Sequence, residues 1–145
     1  EVCAAIKNIF SMAIGAAPGL NKNNNKDNTH LNTSAALMRQ SIYEMEIFVE
    51  FLKGKKETVN GLAGLGDLYV SSAGGRNSKM GKYLGNGHKY KDAKSEFMPN
   101  DTIEGAELAL DIGPKIMKDF KKEKLPLMIS LIEAICQNKT LSINW

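Results

Sequence analysis

Three charged residues stand where a charge is either costly or purposeful: Lys7, Asp67 and Arg76. Lys7 lies in the run EVCAAIKNIFSMAIGAA, with Cys3, Phe10 and Ile14 four, three and seven positions away on one side of a helix. A lysine on an apolar face must reach water with its tip, find a carboxylate, or give up its proton. Desolvation lowers a lysine pKa, and a lysine so tuned donates or accepts a proton near neutral pH. Asp67 and Arg76 are the only charges in GLAGLGDLYVSSAGGRN, residues 61–77, a stretch with five glycines. Asp67 either caps a helix N-terminus or pairs with a buried lysine, and composition leaves both open. Arg76 follows Gly74 and Gly75. A guanidinium grips phosphate through paired N–H groups, and a glycine-rich backbone lets amides join it. These types offer proton transfer beside an anion grip, with glycines that admit a close neighbour.

The elements that position them follow from the hydrophobic period. Residues 1–17 are apolar almost all round, which predicts a buried helix ending near Gly19. NKNNNKDNTHLN, residues 21–32, is polar and of low complexity, which predicts an exposed, mobile loop with His30 in it. Ser34 is placed to cap the next helix. Met38, Ile42, Met45, Val49 and Leu52 then recur at steps of three and four, and Gly54 stops the run. DLYVSS reads as a short helix or strand between turns, and SKMGKYLG as a helix ending at Gly85 with His88 on the surface beyond. Asn100 or Asp101 is placed to cap a helix from about Ile103, which Gly113–Pro114 interrupts. Pro126 starts a last helix whose Leu127, Met128, Leu131, Ile132 and Ile135 face inward. No segment alternates strictly enough for a strand. The expected fold is all-α, a multi-helix, bundle-like single domain over residues 1–145.

Composition narrows the function classes. A hydrophobic share of 43% with 24% charge is ordinary for a globular domain of 145 residues. No apolar run has the length of a membrane span, and no secretory leader opens the chain. Cys3 and Cys136 have no metal-type spacing and read as reduced core residues of an intracellular protein, so no metal is expected. Residues 51–100 carry nine basic and four acidic side chains, so the whole basic excess surrounds the glycine-rich stretch. That excess fits a small anionic partner; for Lys89, Lys91 and Lys94 a solvated face is the preferred reading. There is no G-x-G-x-x-G, Walker motif, H-E-x-x-H or serine elbow. The chain therefore shows no dinucleotide site of its own. It also lacks an initiator methionine and opens inside a helical pattern, which suggests a piece without its N-terminal part.

EVCAAIKN at the start, GLAGLGDL at 61–68, GGRN at 74–77, IEG at 103–105 and LPL at 125–127 occur in that order. Together they resemble the C-terminal half of NAD(P)-dependent glycerol-3-phosphate dehydrogenase, with GLAGLGDL of the bacterial type. The resemblance implies an all-helical substrate domain that works with an N-terminal Rossmann domain of the same parent chain. It implies NAD or NADP as cofactor, bound mainly by that other domain, and interconversion of dihydroxyacetone phosphate and sn-glycerol 3-phosphate. By the same resemblance Lys7 is the proton donor to the carbonyl oxygen and Asp67 orients it. Arg76 grips the substrate phosphate and approaches the cofactor, while Asn8, Asn77 and Ser71 line the substrate site. Glu104 falls near the cofactor, where some members have glutamine. A cytoplasmic location and a homodimer are further expectations, without nucleic-acid or membrane partners. Two other readings stay open: a related two-domain dehydrogenase of another hydroxy acid or phosphate ester, and a basic helical module binding RNA or an acidic partner.

Overall fold

The computed structural model describes residues 1–20 and 30–144. In chain order its helices are α1 (Val2–Gly15), α2 (Ala17–Leu20), α3 (His30–Phe51), α4 (Asp67–Ser72), α5 (Arg76–Gly85), α6 (Tyr90–Phe97), α7 (Glu104–Asp119) and α8 (Pro126–Cys136). A short 3-10 helix at Lys56–Asn60 and a π-helical stretch at Leu62–Gly66 lead into α4. Among the described residues there is no strand, and the fold is all-α.

α1 is the axis of the fold. Ile9, Phe10, Met12 and Ala13 are fully buried on it, and α3, α4, α5, α7 and α8 all pack around it. Full burial of a side chain such as Ile, Met or Phe contributes about 1.5–3 kcal/mol, so this one helix carries much of the core. With α2 it forms an apolar run, Val2–Leu20, of 19 residues, whose most apolar window has a mean hydropathy of 1.3. By length and composition that run is sufficient to cross a membrane, contrary to the sequence expectation. In this fold 67% of its most apolar window is buried among the other helices.

The α1–α5 crossing is made by glycines on both sides. A Cβ on Gly81 would stand 2.0 Å from the Met12 carbonyl oxygen, and one on Gly15 would stand 2.2 Å from that of Ser78. Only hydrogen at these positions lets the two backbones touch. The crossing fixes where α5 begins, and so where Arg76 stands relative to α1.

Other boundaries depart from the sequence reading. α3 starts at His30, so Ser34 lies inside the helix and is not its cap. His30, Leu31 and Asn32 are thereby helical, whereas residues 21–29 of the expected loop lie outside the described residues. α3 ends at Phe51; Lys53 takes the left-handed conformation (φ 61°) and the Gly54 N–H closes on the Val49 carbonyl at 2.8 Å. Gly54 thus stops the helix, with lysine in the left-handed position. α7 runs unbroken through Pro114. Pro114 is exposed, so the N–H that proline lacks is missing on the solvent side of the helix, while Ala109, Gly113 and Ile116 hold the buried face. Neither Asn100 nor Asp101 caps α7, whose N-cap is Ile103 without a side-chain cap bond. α8 begins at Pro126 as expected, and its inward residues are all buried.

Candidate active site

Lys7 leaves the apolar α1 sideways, toward α4. Its Nζ lies 2.6 Å from Asp67 Oδ2 and donates to Ser71 Oγ at 3.1 Å. Asp67 and Ser71 are four residues apart on α4, so one helical face presents both to the same ammonium. The Lys7 side chain is 15% exposed and that of Asp67 41%, so the pair opens to solvent on the carboxylate side. Asp67 is therefore an ion-pair partner, not a helix cap. The π-helical Leu62–Gly66 segment delivers Asp67 to the first position of α4.

A second cluster forms where α5 and α7 begin. Arg76, the first residue of α5, pairs through Nη2 with Glu104 Oε1, at the first position of α7. The other Glu104 oxygen accepts from Asn77 Nδ2 at 3.3 Å. The buried Asn77 in turn accepts the Gly105 N–H on Oδ1 at 2.8 Å. Asn77 thus supplies across the fold the cap that the sequence around 100–101 does not give α7.

Neighbouring residues on α1 join the clusters. Asn8 follows Lys7, and its backbone carbonyl lies against Gly105, where a Cβ would stand 2.5 Å from that oxygen. The Asn8 side chain makes no hydrogen bond among the described residues and is half-buried. Lys7, Asp67 and Ser71 are in direct contact, as are Arg76, Asn77 and Glu104, and Asn8 borders both groups. Val70, 68% exposed, and Leu62, 89% exposed, are apolar residues left open to solvent in the segments that flank Asp67 in sequence. Among the described residues no His, Cys, Asp and Glu group is arranged to hold a metal ion.

Sequence reasoning missed one buried carboxylate. Glu44 on α3 is fully buried and accepts the N–H groups of Leu127 at 2.8 Å and Met128 at 2.9 Å, with Gln40 Nε2 at 3.0 Å. Burial pushes its carboxyl above the ordinary carboxylate range, against the lowering pull of those three hydrogen bonds. It caps α8. The signal was present: an acid on the face that carries Leu37, Ser41, Met45 and Phe48.

Fold and comparisons define the class first: all-helical C-terminal domains of nicotinamide-dependent dehydrogenases. The chain belongs to the family described as NAD-dependent glycerol-3-phosphate dehydrogenase C-terminus, whose sequence model matches residues 1–143. An NADP(+)-dependent glycerol-3-phosphate dehydrogenase of Archaeoglobus fulgidus is 34% identical over 126 residues, 83% of this chain and 37% of that protein. A glycerol-3-phosphate dehydrogenase [NAD(P)+] of Chlamydia pneumoniae is 32% identical over 139 residues, 94% of this chain and 38% of that protein. The crystal structure of glycerol-3-phosphate dehydrogenase from Coxiella burnetii superposes with a TM-score of 0.77 at 30% identity, covering 97% of this chain and 40% of that one. The chain thus spans well under half the length of these relatives.

Proposed function

We propose that this chain is the substrate-binding part of an NAD(P)-dependent glycerol-3-phosphate dehydrogenase, interconverting dihydroxyacetone phosphate and sn-glycerol 3-phosphate. The observation that carries the reading is the Lys7 ammonium held between Asp67 and Ser71, with the Arg76–Asn77–Glu104 cluster across Asn8. Negative charge builds on the carbonyl oxygen as a ketone is reduced, and a positioned cation that can also release a proton suits that oxygen. Lys7 Nζ gives its proton to the oxygen, and in the reverse direction takes it back from the alcohol. Asp67 holds the ammonium in place until transfer. The Ser71 hydroxyl is a hydrogen-bond partner for substrate, and Asn8 a free polar neighbour. Arg76 holds the phosphate through the guanidinium N–H groups that Glu104 leaves open, with Asn77 beside it.

The nicotinamide cofactor, NAD or NADP, supplies or receives the hydride at carbon. Among the described residues there is no strand, hence no strand–glycine–helix cradle for a dinucleotide. Arg76 and Glu104, both about half exposed, fit contact with one edge of such a molecule, not its whole site. The remainder falls to an N-terminal Rossmann domain of the same protein, which is part of the proposal. So is a cytoplasmic location, which the free thiols of Cys3 and Cys136 support.

The test is spectrophotometric oxidation of NADH and NADPH with dihydroxyacetone phosphate. The full-length parent should turn over and the 145-residue chain alone should not. A well-folded parent that is inactive with both cofactors would overturn the reading.

A further inference from the structure

We infer that Glu104 is a positioning residue for the anion grip: its two carboxylate oxygens hold Arg76 and Asn77 together before any ligand arrives. The inference rests on the functional reading above and assigns Glu104 a role toward its own neighbours. One oxygen accepts from Arg76 Nη2 and the other from Asn77 Nδ2 at 3.3 Å. Glu104 is itself fixed, because the adjacent Gly105 N–H is bound to Asn77 Oδ1 at 2.8 Å and Gly105 is pressed against the Asn8 backbone. The network therefore runs from a rigid point on α1, through the start of α7, to the tip of a long side chain on α5.

An unpaired arginine searches many rotamers, and ordering it costs binding energy. Arg76 is 51% exposed and, among the described residues, has no other ion-pair partner. Glu104 takes one of its five N–H donors and leaves four for an anion. The carboxylate thus orders the guanidinium without exhausting it. The opposite role is an internal competitor, which a phosphate must displace before it can bind. The two roles predict opposite signs on removal of the side chain.

Inorganic phosphate is titrated into the 145-residue chain and its Glu104→Ala and Glu104→Gln variants by calorimetry or NMR. In parallel, KM and kcat for dihydroxyacetone phosphate are measured in the full-length protein. Glu104→Ala should weaken phosphate binding and raise KM by roughly two- to fivefold, the range for a half-exposed pair, with kcat changed less. Glu104→Gln should restore most of the loss, because its amide oxygen still accepts from Arg76. Thermal melts should stay near wild type, since the Asn77–Gly105 bond is retained. Phosphate binding that is unchanged or tighter in Glu104→Ala overturns the inference, as does Glu104→Gln proving as harmful as Glu104→Ala. If the wild-type parent fails to turn over, the functional reading falls, and the phosphate titration still decides the role of Glu104.

Discussion

At the scale of single residues, Lys7 and Arg76 divide the proposed chemistry in a way that kinetics can separate. In the proposed mechanism Lys7 works on the reacting oxygen, so Lys7→Ala in the full-length protein should lower kcat by about 10²–10⁴, the usual worth of general acid–base catalysis. The fold should persist, because the Lys7 tip is held by Asp67 and Ser71 at the edge of the core. Near-normal turnover in that variant would remove Lys7 from the mechanism. On the same proposal Arg76 grips a remote group, so Arg76→Ala should appear mainly in KM. A lost charge-assisted contact of about 1.5–3 kcal/mol corresponds to a rise of roughly ten- to hundredfold. Steady-state kinetics giving an unchanged KM and kcat would rule out the phosphate contact. The period of α1 placed Lys7 on an apolar face and left its partner open. The family resemblance pointed to Asp67, and the packing of α4 against α1 brings that carboxylate, sixty positions along, to 2.6 Å.

Helices were legible where the pattern is local. α8 reads directly from Pro126 and its inward leucines and isoleucines, and the middle of α3 from its steps of three and four. What caps α7 and α8 was not legible, for one physical reason. The donors that begin α7 and α8 are satisfied by Asn77 and Glu44, from other helices, and no reading of neighbouring residues finds a cap that distant. The unbroken α7 likewise depends on Pro114 facing water. The glycines of α5 were legible as glycines but not as a contact surface. Gly81→Ala gains helix propensity, about 1 kcal/mol, yet its Cβ would meet the Met12 carbonyl oxygen at 2.0 Å. The clash is with backbone, so it should win, for a net loss of about 1–3 kcal/mol and a melting point lower by roughly 3–10 °C. Gly74→Ala, where nothing lies within 4 Å, is the control and should melt like wild type. Equal melting of the two variants would mean that the crossing is looser than described.

The whole molecule is closed by Glu44, which ties α3 to the start of α8. Glu44→Ala leaves two buried N–H groups without an acceptor, each costing about 1–3 kcal/mol, and should destabilise the entire fold. The pH dependence has a definite sign. The folded carboxyl titrates above its unfolded range, so the folded state binds the proton more tightly. That contribution is fully present below the unfolded pKa and is lost as pH rises through the folded one. Chemical denaturation across the mildly acidic range should show wild-type stability falling relative to Glu44→Gln as pH increases; parallel curves would contradict the shift. The same bond also sets an order of events in time. Glu44 and Leu127 are 83 positions apart, and contacts so distant form only after much of the chain has closed. The first turn of α8 therefore waits, uncapped, until α3 docks. Stopped-flow kinetics of Glu44→Gln should show its effect on the unfolding arm and leave the refolding arm nearly unchanged; a slowed refolding arm would place this bond in the nucleus instead.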